Sequence, residues 1–160
     1  MPSGYRLPRH AVRQFPVLLL ALTVLAGVRS ACADDRSDFK SPLDNSPMTF
    51  ELLPGEVETP ALKSFKDTGV NPYRSDADAV AAGKKLYTSN CIICHGADGT
   101  GKMGPTLVGK EVVYKQVLTD PGMFSVIYGG ASGAMQSFHR RGMKQDDMLR
   151  IIAYVRTLDK

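Results

Sequence analysis

The clearest hydrophobic pattern of the chain lies at its C-terminal end. Between residues 145 and 158 the apolar positions recur at intervals of three and four, at Met148, Ile151, Ile152, Val155 and Leu158. This spacing places apolar side chains on one face of an α-helix and polar ones on the other. It predicts an amphipathic helix over residues 145–158.

A second helix is predicted over residues 75–89. Ser75 offers a capping side chain, and Asp78, three residues later, brings a carboxylate to the positive end of the helix dipole. Shorter helices are predicted over residues 59–66, 111–119 and 123–128, with Asp120-Pro121-Gly122 separating the last two.

The segments between these helices are rich in glycine. Residues 96–110 hold five glycines and one proline, and residues 129–142 are predicted to be irregular as well. No segment alternates with period two, and the sequence has no internal repeat. The predicted fold class is therefore all-α.

Residues 1–33 are predicted to be a cleaved signal peptide. Three arginines precede an apolar run of 14 residues over 15–28, and Ala31-Cys32-Ala33 then supplies small residues before two acids. This order is typical of a secretory leader. Cleavage after about Ala33 predicts export to the periplasm without a membrane anchor.

Two alternatives remain for this segment. It is a retained anchor if it is not cleaved, although 14 apolar residues fall short of the roughly 20 that a spanning helix needs. Lipoprotein processing at Cys32 is the other, although Arg29 brings a charge to a position where such a site has apolar side chains.

Removal of the leader changes the charge of the protein. The full chain holds 20 basic and 16 acidic residues. Four arginines and no acid lie within residues 1–33, so the chain from residue 34 onward is formally neutral. The basic excess of the full chain is therefore no evidence for binding to nucleic acid.

Residues 34–74 are predicted to be a Pro-rich, acidic N-terminal extension to a compact domain over residues 75–160. Five prolines break any long element between residues 42 and 72. Residues 34–67 hold eight acidic and four basic side chains, whereas residues 68–160 hold twelve basic and eight acidic. A solvated extension is the simpler interpretation, and a segment that wraps the domain or a partner is the alternative.

The chemistry of the chain centres on Cys91-Ile92-Ile93-Cys94-His95, a C-x-x-C-H motif. Two thiols at i and i+3 reach the two vinyl groups on one edge of a porphyrin, and the adjacent imidazole reaches the iron. A zinc site would need two more ligands, and a thioredoxin-like pair would lie beside a βαβ pattern. We therefore predict one covalently bound haem c, held by Cys91 and Cys94, with His95 as an iron ligand.

The second iron ligand is predicted to be Met135. A histidine paired with a methionine suits an electron carrier, whereas an open iron suits an enzyme or a sensor. Met135 lies in a glycine-rich loop that lets the backbone approach a flat cofactor. Most other methionines are explained by core packing. Two alternatives remain open: Met143 is the second ligand, or the iron has no second protein ligand.

The motif and its surroundings resemble the class I cytochromes c over residues 76–158. Gly83, Tyr87 and Tyr154 resemble contact residues of that family, Gly104-Pro105-Thr106-Leu107 resembles its G-P-x-L segment, and Met135-Gln136-Ser137-Phe138 resembles its M-P-x-F ligand loop, with Gln136 in place of proline. The resemblance implies three to five helices around one haem. It also implies that the Pro105 carbonyl accepts a hydrogen bond from His95 and that Leu107 and Phe138 contact the haem.

A narrower resemblance is to cytochrome cL. It is carried by residues 68–73, 123–130 and 148–158 and by the N-terminal extension. It implies a monomeric electron carrier, not an enzyme, which accepts electrons from a pyrroloquinoline-quinone (PQQ) methanol dehydrogenase and passes them to a downstream cytochrome or oxidase. The alternatives are a general respiratory cytochrome c and, in a different class, an open-haem enzyme or sensor.

Overall fold

The computed structural model describes residues 39–159, so the predicted signal peptide lies outside the described residues. The helices are α1 (Pro60–Thr68), α2 (Ala77–Asn90), α3 (Ile92–His95), α4 (Asp120–Gly129) and α5 (Gln145–Leu158), with 3₁₀ turns over Pro72–Ser75 and Lys115–Leu118. Within residues 39–159 there is no β-strand beyond one isolated bridge between Lys40 and Pro47. None of these helices is long and apolar enough to cross a membrane.

Helices α2 and α5 cross at close range and form the centre of the fold. Gly83 makes the crossing possible, because a Cβ atom there would lie 1.9 Å from the Arg150 carbonyl oxygen. Tyr87 and Tyr154 pack beside it, with ring centroids 5.4 Å apart. The predicted bounds of α5 are confirmed, and Met148, Ile151, Ile152 and Val155 are all buried.

The start of α2 differs from the prediction by two residues. Ser75 ends the preceding 3₁₀ turn, and the cap is Asp76, whose carboxylate accepts hydrogen bonds from the Asp78 and Ala79 amides. Pro72 begins that turn, and its fixed φ favours a tight turn there. Ser75 therefore belongs to the turn and does not cap the helix.

The segment before α4 also differs from the prediction. The predicted helix over residues 111–119 is wrong, since only Lys115–Leu118 form a single 3₁₀ turn. Asp120-Pro121-Gly122 does not separate two helices but forms the first turn of α4, capped by the Thr119 hydroxyl. Proline is tolerated in a first turn because its missing N–H has no partner there in any case.

The described part of the N-terminal extension packs into the core, so the prediction of a solvated extension is wrong for residues 39–74. Leu62 and Phe65 on α1 are fully buried. The Phe39 and Phe50 rings make edge contacts with Phe124 of α4 at centroid distances of 6.1 and 4.9 Å. The alternative, a segment that wraps the domain, describes these residues.

Hydrogen bonds join the extension to the start of α5. The Glu56 carboxylate accepts from the Gln145 amide at 2.7 Å and from the Leu53 amide at 2.8 Å. Lys144, at the N-cap of α5, makes no side-chain cap. Glu56 therefore caps α5 from a segment that lies 89 residues earlier in the chain.

Candidate haem site

The C-x-x-C-H motif occupies the turn between α2 and α3. Cys91 ends α2, where its amide donates to the Tyr87 carbonyl, and it also begins α3, where its carbonyl accepts from the His95 amide at 2.9 Å. This single turn brings both thiols and the imidazole to the wall of one cavity. Cys91 and Cys94 are free thiols and form no disulfide.

The imidazole of His95 is buried and oriented by a neighbouring loop. Its Nδ1–H donates to the Pro105 carbonyl at 2.8 Å, as the family resemblance implied. Gly104 lies against the ring, and a Cβ atom there would be 2.9 Å from His95 Cε1. With Nδ1 engaged, Nε2 is the nitrogen available to a metal, and the hydrogen bond makes it a stronger donor.

The cavity has two adjoining lobes, and the outer one has a volume of about 780 Å³. Cys91, His95, Pro105 and Met135 line both lobes. The inner lobe is walled mainly by apolar side chains from the loops and from α4 and α5, among them Leu107, Val126, Ile127, Ile151 and Val155. Two thiols, a free imidazole nitrogen and a thioether around an apolar cavity fit a haem c.

Met135 lies in a loop that is anchored to α4. Its carbonyl accepts from the Ala131 amide at 2.9 Å, and Gly130 takes a positive φ of 84° to allow that turn. After it, the Ser137 hydroxyl donates to the Tyr128 carbonyl and the Phe138 amide to the Ile127 carbonyl. Met143 lines neither lobe.

The other predicted contacts also border the cavity. Leu107 is half-buried and lines the inner lobe, and Phe138 is buried and lines the outer lobe. The surroundings of the Cys91 thiol are also apolar. Burial raises the pKa of the Cys91 thiol to about 12, while the charge of Arg141 acts in the opposite direction.

Two residues at the cavity, Tyr114 and Ser132, were not singled out from the sequence. Tyr114 and Ser132 line the inner lobe and join their hydroxyl groups across its rim, which ties the loop before α4 to the Met135 loop. Arg141 lines the outer lobe. The sequence predicted a helix at Tyr114 and therefore gave no signal for the rim contact.

Comparison with known proteins finds cytochromes among the relatives of this chain. Residues 78–155 match the family described as "Cytochrome C oxidase, cbb3-type, subunit III". Cytochrome c-L of Methylorubrum extorquens is 39% identical over 104 residues, which cover 65% of this chain and 52% of that protein. The chain thus spans about half the length of that relative. Cytochrome c-554(547) of Halothiobacillus neapolitanus is 31% identical over 51% of this chain and 99% of its own length.

Two solved structures are similar over most of their length. Cytochrome cL from the marine methylotroph Methylophaga aminisulfidivorans has a TM-score of 0.70 and 32% identity, covering 74% of this chain and 79% of that one. Cytochrome cL from Hyphomicrobium denitrificans has a TM-score of 0.70 and 36% identity, covering 78% of this chain and 75% of that one.

Fold, motif and matches together define a class I cytochrome c, as the sequence predicted. The cytochrome carries covalently bound haem c, so the predicted cofactor is confirmed. Within this class, the chain belongs to the cytochrome cL family. Because the chain spans about half of its cytochrome c-L relative, the role of an electron-transfer protein and not an enzyme stays a prediction.

Proposed function

We propose that this chain is a periplasmic one-electron carrier that accepts electrons from a PQQ-dependent methanol dehydrogenase and passes them to a downstream cytochrome or oxidase. Residues 1–33 are its cleaved signal peptide, residues 34–74 its extension and residues 75–160 its haem domain. The observation that carries the proposal is the similarity to cytochrome c-L and to two cytochrome cL structures, one of them from a methylotroph.

The residues around the cavity are assigned roles on this basis. Cys91 and Cys94 hold the haem through thioether bonds, His95 Nε2 and the Met135 sulfur are the iron ligands, and the Pro105 carbonyl orients His95. Leu107 and Phe138 would contact the macrocycle from the lobes they line. When bound, the haem iron exchanges one electron at a time between its ferric and ferrous states.

This ligand set supports a carrier because it closes the iron to substrate. With His95 and Met135 as its ligands, the iron would have no open position, and the thioether would raise the reduction potential. The apolar walls of the inner lobe exclude water, which also favours the less charged ferrous state. Electrons would then pass at the outer lobe, which Cys94 and the exposed Met103 line.

The decisive experiment mixes the ferric protein with a PQQ methanol dehydrogenase and methanol while the haem α-band is followed. We expect fast, saturable reduction that depends on methanol. Calcium- and lanthanide-dependent dehydrogenases are both assayed, because the two are equally plausible donors. If neither reduces a protein that small reductants do reduce, the donor assignment is wrong.

The second candidate is a general respiratory cytochrome c that donates to a terminal oxidase. The match to cytochrome c-554(547) over 99% of that protein's length and the match to an oxidase-subunit family favour it. Oxidation of the ferrous protein by a terminal oxidase, together with failure of both dehydrogenases, would make this the preferred function.

A further inference from the structure

The loop that carries Met135 is connected to the N-terminal extension through the side chain of Tyr128. We define the Met135 loop as residues 130–139. We propose that the extension, acting through Tyr128, stabilises the Met135 loop and so sets how firmly Met135 binds the haem iron. The proposal rests on the proposed function, in which Met135 is an iron ligand, and it makes Tyr128 a positioning residue for that ligand.

Tyr128 lies in the last turn of α4, just before the Met135 loop. Its carbonyl accepts a hydrogen bond from the Ser137 hydroxyl. Its ring stacks on the His139 imidazole, with ring centroids 4.4 Å apart and an angle of 21° between the planes. Tyr128 therefore fixes the part of the loop that follows Met135.

The Met135 loop makes few hydrogen bonds of its own. The Ala131 amide donates to the Met135 carbonyl and closes the loop. Within the described residues, the amides of residues 133–137 donate no hydrogen bond. The loop therefore depends on contacts with neighbouring segments for its conformation.

The Tyr128 side chain also contacts the extension. Its hydroxyl accepts a hydrogen bond from the Glu51 amide at 3.0 Å. The Phe50 ring makes an edge contact with the Tyr128 ring, with centroids 4.8 Å apart. Tyr128 is half-buried by these neighbours. One aromatic side chain therefore joins the extension to the Met135 loop.

The extension residues at this contact are fixed in turn by two helices. The Glu51 carbonyl accepts a hydrogen bond at 2.7 Å from the side chain of Gln145, which is fully buried at the start of α5. The Phe50 ring lies 4.9 Å from the Phe124 ring of α4, measured between centroids. Phe50 and Glu51 therefore give Tyr128 a partner of fixed position.

Support of this kind acts on the ligand through the order of the loop. A side chain on an unsupported loop binds a metal only at the cost of ordering that loop, and contacts that order it beforehand lower the cost. The net effect of one hydrogen bond on such an equilibrium is a factor of about two to ten. Weaker support should therefore let a competing ligand replace Met135 more easily.

The test replaces Met135 by imidazole at the iron of the ferric holoprotein, at one neutral pH. In this exchange the iron–sulfur bond breaks, an iron–nitrogen bond forms, and no electron is transferred. Loss of the far-red absorption band that marks methionine ligation gives the dissociation constant of imidazole. The variants are Tyr128→Phe, which removes the hydroxyl and keeps the ring, and Phe50→Leu, which removes the edge contact.

Tyr73→Phe is the matched control. The Tyr73 hydroxyl donates to the Asp146 carboxylate at 2.9 Å, so this substitution also removes a hydroxyl group through which the extension is joined to a helix. Tyr73 lines neither lobe of the cavity. A general loss of stability therefore affects the control as well, whereas a loss of support for the Met135 loop does not.

We expect Tyr128→Phe to lower the dissociation constant of imidazole by about threefold to tenfold, and Phe50→Leu to lower it too. The double variant should show less than the sum of the two changes in binding free energy, because both substitutions weaken the same contact. Tyr73→Phe should stay within about twofold of wild type. An unchanged constant in Tyr128→Phe or in Phe50→Leu, or an equal change in Tyr73→Phe, overturns the proposal while the ligand assignment stands.

Hydrogen exchange of the loop amides is a second readout, and it does not depend on the iron ligand. We expect peptides that span residues 130–139 to exchange faster in Tyr128→Phe and Phe50→Leu than in wild type, and at the wild-type rate in Tyr73→Phe. Equal exchange in wild type and Tyr128→Phe contradicts the stabilisation of the loop. If the wild-type protein lacks the far-red band, the assignment of Met135 as a ligand fails, and hydrogen exchange alone decides whether the extension stabilises the loop.

Discussion

Met135 is the residue on which the electron-carrier assignment depends most directly. It lines both lobes of the cavity together with His95, whereas Met143 lines neither. We expect Met135→Ala to remove the far-red absorption band that marks methionine ligation of ferric haem and to lower the reduction potential. Met143→Ala is the matched control and should keep both. The assignment is wrong if the band survives in Met135→Ala.

The hydroxyl group of Tyr87 makes the stability of the fold depend on pH. Its phenol is buried and donates to the Gly96 carbonyl at 2.7 Å. Burial raises its pKa from 10.0 to about 12. The folded protein therefore keeps this proton where the unfolded chain loses it, so stability must fall as pH rises from about 10 to about 12.

We expect the loss of unfolding free energy over this alkaline range to be smaller in Tyr87→Phe than in wild type. Denaturant unfolding at several pH values measures it. Tyr114→Phe, which removes a hydroxyl from a half-buried tyrosine, is the control. An identical pH profile in wild type and Tyr87→Phe would contradict the pKa shift.

For single residues, the sequence predicted those roles that a motif or a family pattern specifies. Cys91, Cys94, His95 and the Pro105 contact follow from C-x-x-C-H and from the G-P-x-L resemblance. The stacking of Arg141 on the Phe138 ring does not follow, because both side chains lie in an irregular loop. Irregular segments have no periodicity from which side-chain directions can be read.

The helices, too, were predicted from the sequence only in part. The bounds of α5 could be predicted because its apolar stripe is sustained over four turns. The starts of α2 and α4 could not, because Ser75 and Pro121 each fit two local structures, and the 3₁₀ turns beside them decide which is adopted. Capping signals narrow a helix start to a few residues and do not fix it.

The cap of α5 gives a prediction at the level of the element. Glu56 supplies the hydrogen bond that Lys144 does not, and its negative charge lies at the positive end of the helix dipole. We expect Glu56→Ala to lower the free energy of unfolding by about 1–2 kcal/mol. Denaturant unfolding monitored by far-UV circular dichroism measures this change.

Glu51→Ala is the matched control for this cap. Glu51 lies in the same segment and is exposed, and within residues 39–159 its carboxylate has no hydrogen bond or ion pair. Its effect should stay within about 0.5 kcal/mol. Equal destabilisation by both substitutions would mean that Glu56 acts through the general charge of the segment and not as a cap.

Across the whole molecule, the extension and the haem domain share one core. Phe39, Phe50 and Phe65 make ring contacts with one another or with Phe124 of α4. The sequence did not predict this packing, because the aromatic residues are scattered among prolines and acids without helical or strand periodicity. Composition indicated a solvated segment, and only long-range contacts show that it is structural.

A shared core implies that the extension and the haem domain unfold together. Phe65 on α1 is fully buried against Phe124 of α4, so Phe65→Ala should lower the free energy of unfolding by about 3–5 kcal/mol. Haem absorbance and far-UV circular dichroism should report the same lowered midpoint, although Phe65 lines neither lobe. Val70→Ala, at an apolar residue 63% exposed in the same segment, should leave both midpoints nearly unchanged. An unchanged haem midpoint in Phe65→Ala would show that the extension unfolds separately and serves as an appendage and not as part of the core.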